Sequence, residues 1–194
     1  MGSGKSTVAA YFQEWGIPVY TSDLRARHLM ENDPELRRAL EAHFGPEVFQ
    51  ENGRLNRPWL AGKIFEDESE RQWINHLVHP AVGRDFERWA TEQNAPYCLN
   101  EAALLLDSGR HRQLDGIVLV TAPESLRLER ILRRDGGSRE AGLARMRRQM
   151  SEEDMRAYAH WEISNDGHHA LRPQVEAVHR GILEKVAGSS ESSR

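Results

Sequence analysis

The sequence of 194 residues contains one cysteine, Cys98, so neither an intrachain disulfide nor a cysteine zinc site can be built from it. It has no apolar run of about 18 residues, the length a membrane-spanning helix needs. It does not open on a charged segment followed by an apolar stretch, the pattern that marks secretion. These absences point to a reducing, cytoplasmic setting. A net charge of −4 argues against a general nucleic-acid binder. There is no internal repeat and no heptad pattern long enough for a coiled coil. What is present, 39% hydrophobic and 29% charged residues, suits one globular domain whose core needs no covalent staples.

Short apolar runs alternate with helical stretches, which is the pattern of an α/β domain. A helix is expected from about Ser6 to Trp15, with Gly16 as its left-handed cap, followed by a short strand at Ile17–Tyr20. Helices are expected near Asp23 and from Pro34 to Phe44, and Gly45-Pro46 and Asn52-Gly53 are turn signals. The stretch Arg57–Ala90 reads as helical, with a break at His79-Pro80. Strands are expected at Tyr97–Asn100, Gly116–Val120 and Glu162–Ser164, with a last helix over Leu171–Val186 and a disordered tail over 188–194. Trp59, Trp73 and Trp89 are expected in the core. His168, His169 and His179 lack metal-ligand spacing.

The run Gly2-Ser3-Gly4-Lys5-Ser6-Thr7 precedes a helical pattern and matches the second half of the phosphate-binding loop G-x-x-x-x-G-K-[ST]. Its glycines let the backbone curl so that successive amides face one point. The helix N-terminus adds free donors and a partial positive charge. Lys5 would bring a full charge to the β- and γ-phosphates of a nucleotide, and Ser6 a hydroxyl to Mg²⁺. The motif's first glycine and the strand that feeds it would precede Met1. The reading favoured here is a start assigned too late, since a parallel sheet without its central strand leaves two inner edges unpaired. The alternative is a shortened protein, and the intact mass of the native protein separates the two.

Asp23 follows the first expected strand on the side where α/β sheets place their ligands. A carboxylate there can bind Mg²⁺ or take a proton from an acceptor hydroxyl, although it could also cap a helix. From Arg130 to Arg148 there are seven arginines against Asp135 and Glu140, interrupted by Gly136-Gly137 as by a hinge. An unpaired positive cluster of this kind suits a lid over a transferring phosphoryl group. A solvated helix face and a small RNA-binding patch are the other readings of it.

The loop, the strand with Asp23, Leu77-Val78-His79-Pro80, Glu101-Ala102-Ala103-Leu104-Leu105, Val120–Glu124, Arg134-Asp135, the arginine run ending at Gln149 and Asn165-Asp166-Gly167 stand in one order. Together they resemble the dephospho-coenzyme A kinase family, from Gly2 to about Val186. The resemblance implies a P-loop NTPase fold of the kinase type, three layers around a five-stranded parallel sheet, with a helical substrate-binding insertion and an arginine-rich lid. In this chain those would be one domain over 1–187, an insertion at about 31–90 and a lid at about 134–150. It implies phosphorylation of the ribose 3′-hydroxyl of dephospho-CoA by MgATP, the last step of coenzyme A synthesis.

Carried over by position, Gly2, Ser3, Gly4, Lys5, Ser6 and Thr7 bind the ATP phosphates and Asp23 is the base. Ser6 and Asp23 hold Mg²⁺, Lys5 and Arg139 act in catalysis, Arg145 clamps ATP, and His79 and Glu101 face the acceptor. The family's Asp-Ala-Asp is Thr21-Ser22-Asp23 here, so the first carboxylate is missing. His79 could equally be a structural histidine at a helix end. A nucleoside or nucleoside monophosphate kinase, or a nucleotide-binding protein without catalysis, are the rival readings. Oligomeric state is not legible in the sequence.

Overall fold

The structure, a computed structural model, describes residues 1–106, 109–147 and 149–191. In chain order the elements are α1 (Lys5–Glu14), β1 (Val19–Thr21), α2 (Ser22–Asn32), α3 (Pro34–Phe44), α4 (Arg57–Glu66), α5 (Glu68–Thr91), β2 (Leu99–Glu101), β3 (Val118–Thr121), α6 (Glu124–Asp135), α7 (Arg139–Arg147), α8 (Glu152–Arg156), β4 (Trp161–Ser164) and α9 (Leu171–Glu191). The chain divides into two compact units, one of residues 1–19 with 94–194 and one of residues 20–93.

The first unit is α/β. Val118, Leu119 and Val120 are apolar and mostly β-branched, the side chains a buried strand favours. Strands β3 and β4 pair in parallel, from Val118 opposite Trp161 to Thr121 opposite Ser164. The core gathers Val8 and Phe12 of α1, Ile17, Val120, Ile163, and Val175, Val178 and Ile182 of α9. Val8 and Phe12 are four residues apart, as are Val178 and Ile182, so each helix turns one stripe inward. Gly16 has φ 76 and ends α1 as expected.

In place of a single five-stranded sheet, the described residues hold four strands in two pairs, β1 with β2 and β3 with β4. The first pair is short, and the Leu99 amide donates to the Pro18 carbonyl at 2.9 Å. Among the described residues between β2 and β3 there is a 3-10 turn at Arg110–Gln113. Helix α9 continues to Glu191, so residues 188–191 are helical rather than part of a disordered tail; 192–194 lie outside the described residues.

The second unit is helical around Tyr20, Leu40, Val48, Phe49, Leu55, Leu60, Ile74, Val78 and Val82, with Trp59, Trp73 and Trp89 packed against them. Helix α3 starts on Asp33, whose carboxylate accepts from the amides of Glu35 (2.9 Å) and Leu36 (3.1 Å), with Pro34 in its first turn. The expected break at His79-Pro80 is not found, and α5 runs through Pro80. Ile74, Val78, Ala81 and Val82 bury one continuous face across the proline, and that packing outweighs one missing backbone bond. The break lies at Asp67, whose carboxylate accepts from the Ser69 amide at 2.7 Å and starts the second helix there.

Candidate active site

The residues Gly2 to Thr7 form a tight turn onto the N-terminus of α1. Gly2 (φ 73) and Gly4 (φ 91) both occupy the left-handed region, where a Cβ is costly. Space excludes a side chain as well. A Cβ on Gly2 would lie 2.5 Å from the Arg127 carbonyl oxygen, and one on Gly4 would lie 2.1 Å from Asn165 Nδ2. Val8 makes the first helical bond, to the Gly4 carbonyl at 3.1 Å. The amides of Lys5, Ser6 and Thr7 therefore have no partner within the helix. Gly4 provides no side-chain cap, and the first turn holds no acid to compete for those donors. Ser6 and Thr7 are exposed, and Lys5 is half-buried. The N-terminus of α1 thus presents free backbone donors, and Lys5 is the first residue of the helix.

Two residues to which the sequence reading gave no site role of their own hold this turn from behind. Asn165, buried just past β4, donates from Nδ2 to the Ser3 carbonyl at 2.8 Å. Its backbone amide donates to the Thr121 carbonyl at 2.8 Å, so the side chain is anchored to the end of β3. Arg130 of α6 donates from one guanidinium nitrogen to the carbonyls of Gly2 (3.3 Å) and Ser3 (3.4 Å). Its other terminal nitrogen donates to Asn165 Oδ1 at 3.2 Å. With the carbonyls engaged by Asn165 and Arg130, the loop's amides are left for a ligand.

The residue after Asn165 closes its own turn. Asp166 accepts from the amides of His168 (2.9 Å) and His169 (3.0 Å), and these bonds hold its carboxyl well below the usual carboxylate range. The signal for Arg130 was masked because it fell inside the arginine run. Asn165 stood in the sequence only within Asn165-Asp166-Gly167, one of the segments that carry the family resemblance.

The arginine run is less bare than its sequence suggests. Asp135 accepts from Arg134 at 2.7 Å and from Arg145 at 3.1 Å, and Arg133 lies 3.8 Å from Glu129. Arg134 first, then Arg145, draws the Asp135 carboxyl below its ordinary range. Asp135, already counted against the run, is shared by two of its arginines and Glu129 offsets a third, so the run keeps a net positive charge. Gly136 (φ 68) and Gly137 (φ 90) separate α6 from α7 in conformations that favour glycine. Arg139 opens α7, exposed, with no ion pair among the described residues, and Arg145 stands on the same helix. No contact among the described residues brings Arg139 or Arg145 to the loop. Arg148 lies outside the described residues.

Asp23 occupies the first turn of α2 in the second unit, exposed, and its carboxylate has no hydrogen bond or ion pair among the described residues. The N-cap position belongs to Thr21, so Asp23 is not the capping residue. His79 lies in the middle of α5 rather than at a helix end. Glu101 closes β2 in the first unit.

The model of the family described as dephospho-CoA kinase matches residues 1–170. A dephospho-CoA kinase of Bacteroides fragilis is 36% identical over 190 residues, covering 96% of this chain and 91% of the relative. One from Porphyromonas gingivalis is 39% identical over 179 residues, covering 92% and 88%. A crystal structure from Thermus thermophilus superposes with a TM-score of 0.78 at 35% identity, covering 95% of this chain and 93% of the other. The dephospho-CoA kinase of Campylobacter jejuni, 22% identical with a TM-score of 0.68 and covering 95% and 94%, has the same fold. A loop shaped for phosphate, on an α/β core similar to these structures along nearly the whole chain, leads to one assignment: the chain belongs to the dephospho-CoA kinase family and is an ATP-dependent phosphotransferase of the P-loop kinase fold.

Proposed function

We propose that this chain transfers the γ-phosphoryl group of ATP to the ribose 3′-hydroxyl of dephospho-CoA, giving coenzyme A and ADP. The observation that carries the reading is the glycine turn on α1, with Lys5 beside open backbone donors, in a chain matched by the family model over residues 1–170. The amides of Gly2 to Thr7 cradle the phosphates, and Lys5 offsets charge at the β- and γ-groups.

Asp23 takes the proton of the acceptor hydroxyl. The oxygen then attacks the γ-phosphorus while the bond to the β–γ bridging oxygen breaks. A ribose hydroxyl needs such a base, because it is a poor nucleophile until it loses its proton. Arg139 and Arg145 clamp the transferring group, whose oxygens match the planar guanidinium fork. Arg145 would have to exchange Asp135 for phosphate as the lid closes. His79 and Glu101 face the acceptor.

The hydroxyl of Ser6 and the carboxylate of Asp23 are hard oxygen donors that suit Mg²⁺, which keeps several waters and takes few protein ligands. When bound, the cation would neutralise charge on the phosphate oxygens. Among the described residues no helix is long and apolar enough to cross a membrane. A cytoplasmic location belongs to the same proposal.

The test is ADP release from MgATP with and without dephospho-CoA, with Lys5→Ala as the blank. Release that requires dephospho-CoA and is lost in the variant supports the reading. Release equal without acceptor, or with a nucleoside monophosphate in its place, overturns it.

A further inference from the structure

Asp85 is buried on α5, and its carboxylate collects three side chains of the second unit. Tyr20 Oη donates to Oδ2 at 2.7 Å. Arg25 donates to both oxygens, from Nε to Oδ2 at 2.8 Å and from Nη2 to Oδ1 at 2.7 Å. Arg88 Nη2 adds a bond to Oδ1 at 2.7 Å. Each oxygen therefore accepts two bonds, which fills the capacity of a carboxylate. A charge at this depth is costly unless its partners are complete. Packing alone does not call for it, because Ile74, Val78 and Val82 already supply the apolar face of α5.

The partners' places in the chain show what the cluster can do. Tyr20 lies on β1 three residues before Asp23, and Arg25 lies on α2 two residues after it. One carboxylate thus grips the chain on both sides of Asp23. Tyr20 is further fixed by a bond to the Val82 carbonyl at 3.3 Å and by the rings of Phe86 and Trp89, with centroids 5.2 and 5.3 Å away. At the start of α2, the N-cap Thr21 makes no side-chain cap bond.

We propose that Asp85 is a positioning residue for phosphoryl transfer, which holds Tyr20 and Arg25 together and so fixes the strand-to-helix turn that carries Asp23. The inference rests on the reading of Asp23 as the base. A base must stay within hydrogen-bond reach of its proton, and misplacement by about 1 Å can cost on the order of a hundredfold in rate.

Asp85→Asn keeps the shape but leaves one acceptor oxygen and turns an NH₂ group toward donors, so the two-sided grip of Arg25 is lost. The expected result is a kcat lower by about tenfold or more, with the KM for ATP changed by less than about twofold. In the Asp23→Asn background the same substitution is expected to cost nothing further. Thermal melts and near-UV circular dichroism check folding. If Asp85→Asn does not fold, Tyr20→Phe and Arg25→Gln each remove one side of the grip and carry the same expectation.

Wild-type turnover in a folded variant, or a loss that multiplies with Asp23→Asn, overturns the positioning role while leaving Asp23 as the base. Unchanged turnover in Asp23→Asn itself removes the reading of Asp23, and the positioning role falls with it.

Discussion

Replacing Gly4 by alanine tests the account of the loop at one atom. Two costs add. The first is the left-handed backbone at φ 91, about 1–2 kcal/mol for a residue with a Cβ. The second comes from Asn165 Nδ2, which lies 2.1 Å from the new Cβ and must leave the Ser3 carbonyl. Losing a buried hydrogen bond of that kind costs about 1–3 kcal/mol. A total near 3 kcal/mol lowers the melting temperature by roughly 6–12 °C for a chain of this length.

Gly16→Ala is the control at the other end of α1. Its φ is 76, yet a Cβ there meets nothing within 4 Å, so only the backbone cost applies and the drop is about half as large. Thermal denaturation followed by tryptophan fluorescence reads both variants. ATP titration then reads the loop itself, with affinity expected to fall by about tenfold or more in Gly4→Ala and to hold in Gly16→Ala. Equal melting temperatures for the two variants, or unchanged ATP affinity in Gly4→Ala, would refute the claim that Asn165 sets the shape of the loop.

Asp23→Asn is expected to lower kcat by about 10²–10⁴ while leaving the KM for ATP near its original value, measured by steady-state ADP release. Arg130→Gln removes the charged grip on the Gly2 and Ser3 carbonyls; the KM for ATP should rise more than kcat falls, and a pure kcat effect would count against a loop-holding role. Arg25 above all holds the Asp85 carboxyl down to about 2 from an ordinary 3.8. Because the folded-state value is the depressed one, this stabilisation is present above the ordinary value and is lost as pH falls toward about 2. It amounts to roughly 2 kcal/mol. Urea unfolding between pH 5 and pH 2 should therefore show a shallower acid decline in Asp85→Asn than in the original chain, and parallel declines would argue against the pair.

The shape of the glycine loop was legible in the sequence because its determinants are local. Glycines at 2 and 4 at the head of an amphipathic pattern specify a tight turn and the helix behind it. Gly16, Asp33-Pro34 and the β-branched Val118–Val120 likewise mark a helix end, a helix start and a strand by their own stereochemistry. The arginine run showed its charge but not its pairing, since a sequence does not reveal that Arg134 and Arg145 share Asp135.

Pro80 misled for a related reason. A proline's local preference is worth about 3 kcal/mol, and a long buried face spanning it is worth more. Asp67 shows the converse, a modest cap that decides where two helices part. The partners of the phosphate turn belong to tertiary structure alone. Arg130 and Asn165 meet Ser3 across 127 and 162 residues of chain, and only the parallel pairing of β3 with β4 brings the end of β4 to the back of the loop. The sequence by itself determined that the backbone turns tightly at Gly2 and Gly4 into a helix; the packing of α6 and β4 decided how that turn is held, because bonds between distant residues exist only once the core has formed.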